Sequence, residues 1–176
     1  MKKDISLWSL IGFAFTSLSG TLLHFLFDWT KESIVSAPFS AVNESTWEHM
    51  KLLFFPMFVF ALVQYAFFRE NKNFWCIKLI GTVCGLLLIP ILFYTLGGVF
   101  GKTPDWLNIS IFFISAAIVF LLETRLLKKN IAFCFSPALA FILILLIAFL
   151  FVFFTFKTPN LPIFQDPISK TFGYQK

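Results

Sequence analysis

Five apolar runs, each close to 20 residues long and separated by short polar turns, leave this chain very few ways to fold. In hydrocarbon every backbone N–H and C=O must be satisfied within the protein, so runs of this kind become helices or the strands of a closed barrel. Barrel strands are about ten residues long and alternate in polarity, whereas these runs are continuous. The spacing predicts spans at about residues 7–29, 45–68, 74–96, 106–122 and 137–156, with a tail over 157–176. The expected fold is all-α, a polytopic membrane helix bundle of about five transmembrane helices, so the first partner is the lipid bilayer. Composition agrees: 59% of residues are hydrophobic and 13% charged, against about 25% charged in soluble domains. Lys2 and Lys3 followed by an apolar run resemble a signal peptide, and Ser17-Leu-Ser19 has small residues suited to cleavage. The run nevertheless continues past Gly20 to Phe27, as a retained anchor does.

Orientation is read from lysine and arginine, which favour the cytoplasmic side. With the N-terminus inside, the inner segments hold Lys2, Lys3, Arg69, Lys72, Lys78, Arg125, Lys128 and Lys129. The outer ones hold Lys31, Lys51, Lys102, Lys157, Lys170 and Lys176 over longer stretches. This predicts N-in/C-out and explains the net charge of +5 by topology, with no nucleic acid as partner. Asp28, Glu32, Glu44, Glu48, Asp105 and Asp166 then share the outer face with His24 and His49. The 27 phenylalanines, with abundant Ile and Lys, suggest an AT-rich bacterial genome and hence a bacterial cytoplasmic membrane.

Polarity is densest in Ser40-Ala-Val-Asn-Glu-Ser-Thr-Trp-Glu-His-Met-Lys51, at the mouth of the second run. On a helix, Glu44 and Glu48 share a face and His49 points away by a third to a half of a turn. Ser45-x-x-Glu48 also fits a capping box, and Trp47 an interfacial anchor. Two readings stand together: a cap alone, or a cap that also carries a site. The first run has a stripe at spacing four, Gly12, Thr16, Gly20, His24, Asp28, whose small members admit a neighbouring helix. Ionisable residues in a span face an interior or a cavity, so His24 and Asp28 are either a site or a histidine hydrogen-bonded for structure. As a site, His24, Asp28 and Glu44 offer N and O ligands to a divalent cation such as Zn²⁺. Glu48 and His49 then serve as acid and base, and Asn43, Lys51 and Asp166 complete the polar centre.

Pro56 and Pro90 are expected to kink their spans, and Gly81-x-x-x-Gly85 is a close-packing motif. Cys76, Cys84 and Cys134, odd in number and set in apolar sequence, read as small core residues rather than a disulfide or metal framework. The tail has Pro159, Pro162 and Pro167 to exclude regular helix, and Phe164, Phe172 and Tyr174 to bury, which predicts an ordered lid. No Gly-rich phosphate loop, Ser/His/Asp order or closely spaced Cys pair is present.

At His24 with Asp28, at Val42-Asn-Glu-Ser-Thr-Trp-Glu-His-Met-Lys51 and at Pro159 to Tyr174, the chain resembles an uncharacterised family of small bacterial polytopic membrane proteins. Its tail ends Phe-Gly-Tyr where the resemblance implies the reverse order of Tyr and Gly. The resemblance implies a grouping and no activity. Three functions are compatible with the residues: a metal-dependent hydrolase acting on a lipid or lipid-linked substrate, a binding or transport protein for a small solute or ion, and an assembly subunit without chemistry. The first uses the scattered N/O ligands. The second uses the two prolines as flexing points, and the third uses the small-residue stripes.

Overall fold

The computed structural model describes residues 4–101, 104–129 and 134–175, the side chain of Asp105 excepted. Lys2, Lys3, Lys102, Lys176 and the Asp105 carboxylate, used above for orientation, lie outside the described residues. The helices are α1 (Ile5–Trp29), α2 (Thr46–Phe68), α3 (Phe74–Phe100), α4 (Asp105–Lys129) and α5 (Pro137–Phe156), and a 3₁₀ turn covers Pro162–Phe164. All five helices are long and apolar enough to cross a membrane. The starts of α1, α2 and α5 are set by short polar side chains that accept from otherwise unpaired N–H groups. Asp4 caps α1 through Ser6 and Leu7 N–H, and Ser136 caps α5 through Leu139 N–H with Pro137 at the first helical position. Helices α2 and α3 run through Pro56 and Pro90.

Helices α1 to α4 form a ring in which α1 packs on α2 and α4, and α3 on α2 and α4. Helix α5 lies outside this ring against α3 and, less extensively, α2. The centre is α2, with 61% of its most apolar window buried against 22% for α1 and α5. Helix α5 inserts only a stripe, Ala140, Ile144, Phe151 and Thr155, and turns Ile142, Leu146 and Phe149 outward. An apolar helix with an exposed apolar face is what a lipid environment stabilises.

Helices α3 and α4 extend beyond the apolar runs by which they are recognised. Helix α4 continues to Lys129, with Glu123 buried in an ion pair with Lys78 of α3 and Leu127 packed in the core one turn further on. Gly81 lets this approach happen: a Cβ there would collide with the Glu123 carboxylate. Lys78, counted above as an inner loop charge, is therefore a core residue.

The expectation that the cysteines are unbonded core residues is corrected for two of them. Cys76, in the first turn of α3, is disulfide-bonded to Cys134, two residues before the Ser136 cap of α5, with Cα atoms 5.6 Å apart. Both lie at the same end of the bundle, and 58 positions of sequence separation hide that proximity. Cys84 is free and half-buried.

Candidate metal centre

At the opposite end, the chain leaves α1 through Lys31 and Glu32, both at positive φ, and folds back through turns in which Ala37 and Ser40 are buried. Ser45 then caps α2 by accepting from Glu48 N–H. This is half of the expected capping box. The Glu48 carboxylate accepts instead from Val42 N–H at 3.0 Å, and Ser45 N–H is taken by Asn43 Oδ1 at 2.9 Å.

Because the helix begins at Thr46, Glu44 lies ahead of it, and the two carboxylates that would share a helical face part company. Glu48 turns into the bundle and pairs with Lys51 at 2.6 Å, both side chains almost fully buried. Lys51 also donates to the Ala37 carbonyl at 3.0 Å and to Thr155 Oγ1 at 2.9 Å, so its three N–H groups join the loop, α2 and α5. This pair is a clamp that holds the loop in place.

Glu44 goes to the histidines. Its carboxylate lies 3.4 Å from His49 Nε2 and 3.9 Å from His24 Nε2, and the two imidazole centroids are 5.4 Å apart. One ligand atom from each of the three residues falls within 4.8 Å of the others. Two of these residues are anchored by helices that pack on each other, since the stripe Gly12, Thr16, Gly20 is buried against neighbours. The stripe emerges toward its end, leaving His24 half-buried and Asp28 exposed. Asp28 is outside the cluster.

His49 Nδ1 is 3.0 Å from the Ser45 carbonyl, which can only accept. Nδ1 therefore carries a proton, and in the neutral imidazole Nε2 presents its lone pair. That lone pair meets a carboxylate oxygen at 3.4 Å. Two lone pairs at that separation repel unless a cation, a proton or a metal ion, lies between them. A backbone carbonyl that fixes the imidazole tautomer is also the usual support of a histidine ligand. Around Zn²⁺, ligand atoms at about 2.0–2.1 Å in a tetrahedron lie about 3.3–3.4 Å apart, so the three groups need to close by an ångström or so. Glu44, with its side chain 45% exposed, has the freedom to supply that movement.

The tail crosses this end. Phe164 is buried with its ring 4.6 Å from Trp47, and Tyr174 meets Phe27 and Phe156 at about 6 Å. Tyr174 N–H donates to the Thr155 carbonyl, and Asn43 donates to the Gly173 carbonyl. Asp166 reaches the site only through the backbone, accepting from Glu44 N–H at 3.4 Å. Its partial burial alone would raise its pKa. Hydrogen bonds from Ile168 and Ser169 N–H outweigh that and, with Glu44, hold the carboxyl below its ordinary value.

Of the residues singled out from sequence, the structure brings His24, Glu44 and His49 together and places Glu48 with Lys51. Asn43 and Asp166 tie down the tail, and Asp28 points elsewhere. The Lys78–Glu123 pair was missed; a basic and an acidic residue within separate apolar runs were its only signal.

Five helices of membrane-crossing length with apolar outer faces are the architecture of a multi-pass helical membrane protein. The chain matches the family of unknown function DUF6512 over residues 1–174, and it belongs to that family. No curated protein and no solved structure matches it.

Proposed function

We propose that this protein is a metal-dependent membrane hydrolase in which His24, His49 and Glu44 hold a divalent cation such as Zn²⁺. The observation that carries the reading is the convergence of His24, His49 and the Glu44 carboxylate, with one ligand atom from each within 4.8 Å of the others and His49 Nδ1 held at the Ser45 carbonyl. Two histidines and one carboxylate are a ligand set that leaves a fourth position for water or substrate. A cation bound there would lower the pKa of that water toward neutrality and polarise an ester or phosphoryl oxygen.

The surroundings favour a lipid-like substrate. Trp29, at the end of α1, and Ile34 and Val35, in the loop that follows it, are exposed by 63%, 59% and 76%, a set of apolar side chains at the same end of the bundle as the site and suited to the edge of a bilayer. The Glu48–Lys51 clamp orders the loop that carries Glu44, which supports a positioning role for Glu48 in place of acid–base work. In this reading the site faces outward from a bacterial cytoplasmic membrane, with the N-terminus inside.

Elemental analysis of purified protein reconstituted with Zn²⁺ tests the proposal. About one equivalent is expected, with affinity reduced at least tenfold in His24→Ala and His49→Ala, no less than the loss when a supporting group alone is removed. Asp28→Asn should bind like the parent. Chelator-sensitive release of fatty acid or headgroup from a phospholipid extract tests the hydrolytic step. Equal Zn²⁺ binding by parent and His49→Ala would sink the assignment.

A further inference from the structure

At the end of the bundle away from the histidines, a cleft of about 510 Å³ opens between α1 and α4. Its volume lies within the range of about 300–1,000 Å³ typical of ligand sites. Leu10, Phe13 and Leu121 form apolar walls, and Arg125, Lys128 and Ser6 stand at the mouth. Deeper in, the Thr124 and Ser9 hydroxyls are hydrogen-bonded at 2.6 Å, so the polar floor is closed by a side-chain pair across the two helices. Arg125 and Lys128 are exposed and, among the described residues, make no ion pair. A second cleft at this end has Arg69 and Lys72 beside Tyr65, Trp75 and Pro137, and with Asn71 and Asn73 in its walls it is the more polar of the two.

We propose that the α1–α4 cleft binds one anionic phospholipid, its phosphate between Arg125 and Lys128 and its acyl chain along Leu10, Phe13 and Leu121. The argument is charge and depth together. Unpaired cations at the end of a span meet the phosphate level of a bilayer, and the apolar track begins directly beneath them. Leu10 and Leu121, exposed by 63% and 58%, continue the track onto the outer faces of the two helices, so a chain can enter from the bilayer. Zwitterionic lipid would bring a positive group to the same two cations and is disfavoured. The site is independent of the metal centre.

Native mass spectrometry of detergent-purified protein offered phosphatidylglycerol or phosphatidylcholine of equal chain length tests this. One retained phosphatidylglycerol per chain is expected. Each basic residue near an anionic surface contributes about fivefold in affinity, so Arg125→Gln with Lys128→Gln should weaken retention about 25-fold. The charge-matched Arg69→Gln with Lys72→Gln should leave it within about twofold. Ala117→Phe, which fills the cleft and keeps both cations, should also abolish retention, whereas inorganic phosphate at millimolar concentration should not displace the lipid. Equal retention of the two lipids, equal loss in both charge variants, or full competition by phosphate would overturn the proposal. So would a dimer dissociated by Ala117→Phe in protein that retains no lipid, since a second copy would then be the occupant.

Discussion

Glu48 and Lys51 show what a single buried charge costs in this fold. Each ion alone would lose several kcal/mol of hydration, and the pair is tolerable because Lys51 has three acceptors and Glu48 has Lys51 and the Val42 N–H. Lys51→Met leaves the carboxylate buried without its cation and should cost about 3–5 kcal/mol. Adding Glu48→Gln should recover most of that loss, because no net charge then remains inside. Thermal unfolding in detergent reads both, and a Lys51→Met protein as stable as the parent would show that the clamp does not hold the loop. At this scale the sequence was legible in kind and not in partnership. The polar density of residues 40–51 marked the place, and Ser45 was readable as a cap. Which carboxylate met the histidines depended on one backbone detail, the start of the helix at Thr46, which removes Glu44 from the face of Glu48. A pattern with period 3.6 says nothing about a residue that lies outside the helix.

Elements in this bundle meet where side chains are missing. Gly20 of α1 rests against the backbone of α2, and a Cβ there would come within 2.7 Å of the Leu52 carbonyl and 2.5 Å of the Phe112 ring. Leu52 is four residues before Pro56, whose ring nitrogen has no hydrogen to donate, so this carbonyl lacks its ordinary helical partner. The glycine and the proline are thus two sides of one contact, in which α1 approaches a carbonyl that α2 leaves open and the Gly20 Cα–H lies against it. Gly20→Ala should destabilise by about 1–3 kcal/mol through overpacking, the more so because backbone cannot yield as a side-chain tip does. Gly98→Ala, where nothing lies within 4 Å of the place a Cβ would take, should be tolerated. Comparable melting temperatures for these two variants would refute the account. Spacing-four stripes are legible in the sequence, since small residues recurring on one face admit a neighbour. The neighbour itself was not readable, because a stripe does not encode its partner. Helix ends were least legible: α4 runs to Lys129 past the buried Lys78–Glu123 pair and the core residue Leu127, tertiary contacts that hydropathy cannot register.

For the whole molecule, two physical signals bear in opposite directions on which end faces the cytoplasm. Lys51 and Lys78 are neutralised in buried pairs, which leaves seven basic residues on the proposed inner side and five on the outer. Arg69, Lys72, Arg125, Lys128 and Lys129 still crowd the ends of α2 and α4, and the positive-inside tendency acts on such short flanks. The same end carries the Cys76–Cys134 bond. Disulfides persist in oxidising compartments and are rare in the cytosol, so a cytoplasmic basic end requires these cysteines to be thiols in the living cell. Both conditions hold if the pair closes only on oxidation, since the bundle keeps the two residues adjacent whether or not they are bonded. The charge argument is the stronger, because orientation is chosen during insertion, before α3 and α5 have packed to bring the cysteines together. Cells lysed into acid to trap thiols should therefore yield Cys76 and Cys134 reduced, and the half-buried Cys134 should react with a charged, membrane-impermeant maleimide only once the membrane is made permeable. The protein purified in air should have them bonded. A reporter fused after Lys176 should be active only outside. If the pair is already oxidised in acid-trapped cells and the reporter is active in the cytoplasm, the orientation is reversed. The histidine centre would then face inward, where metal and substrate would both have to come from the cytosol.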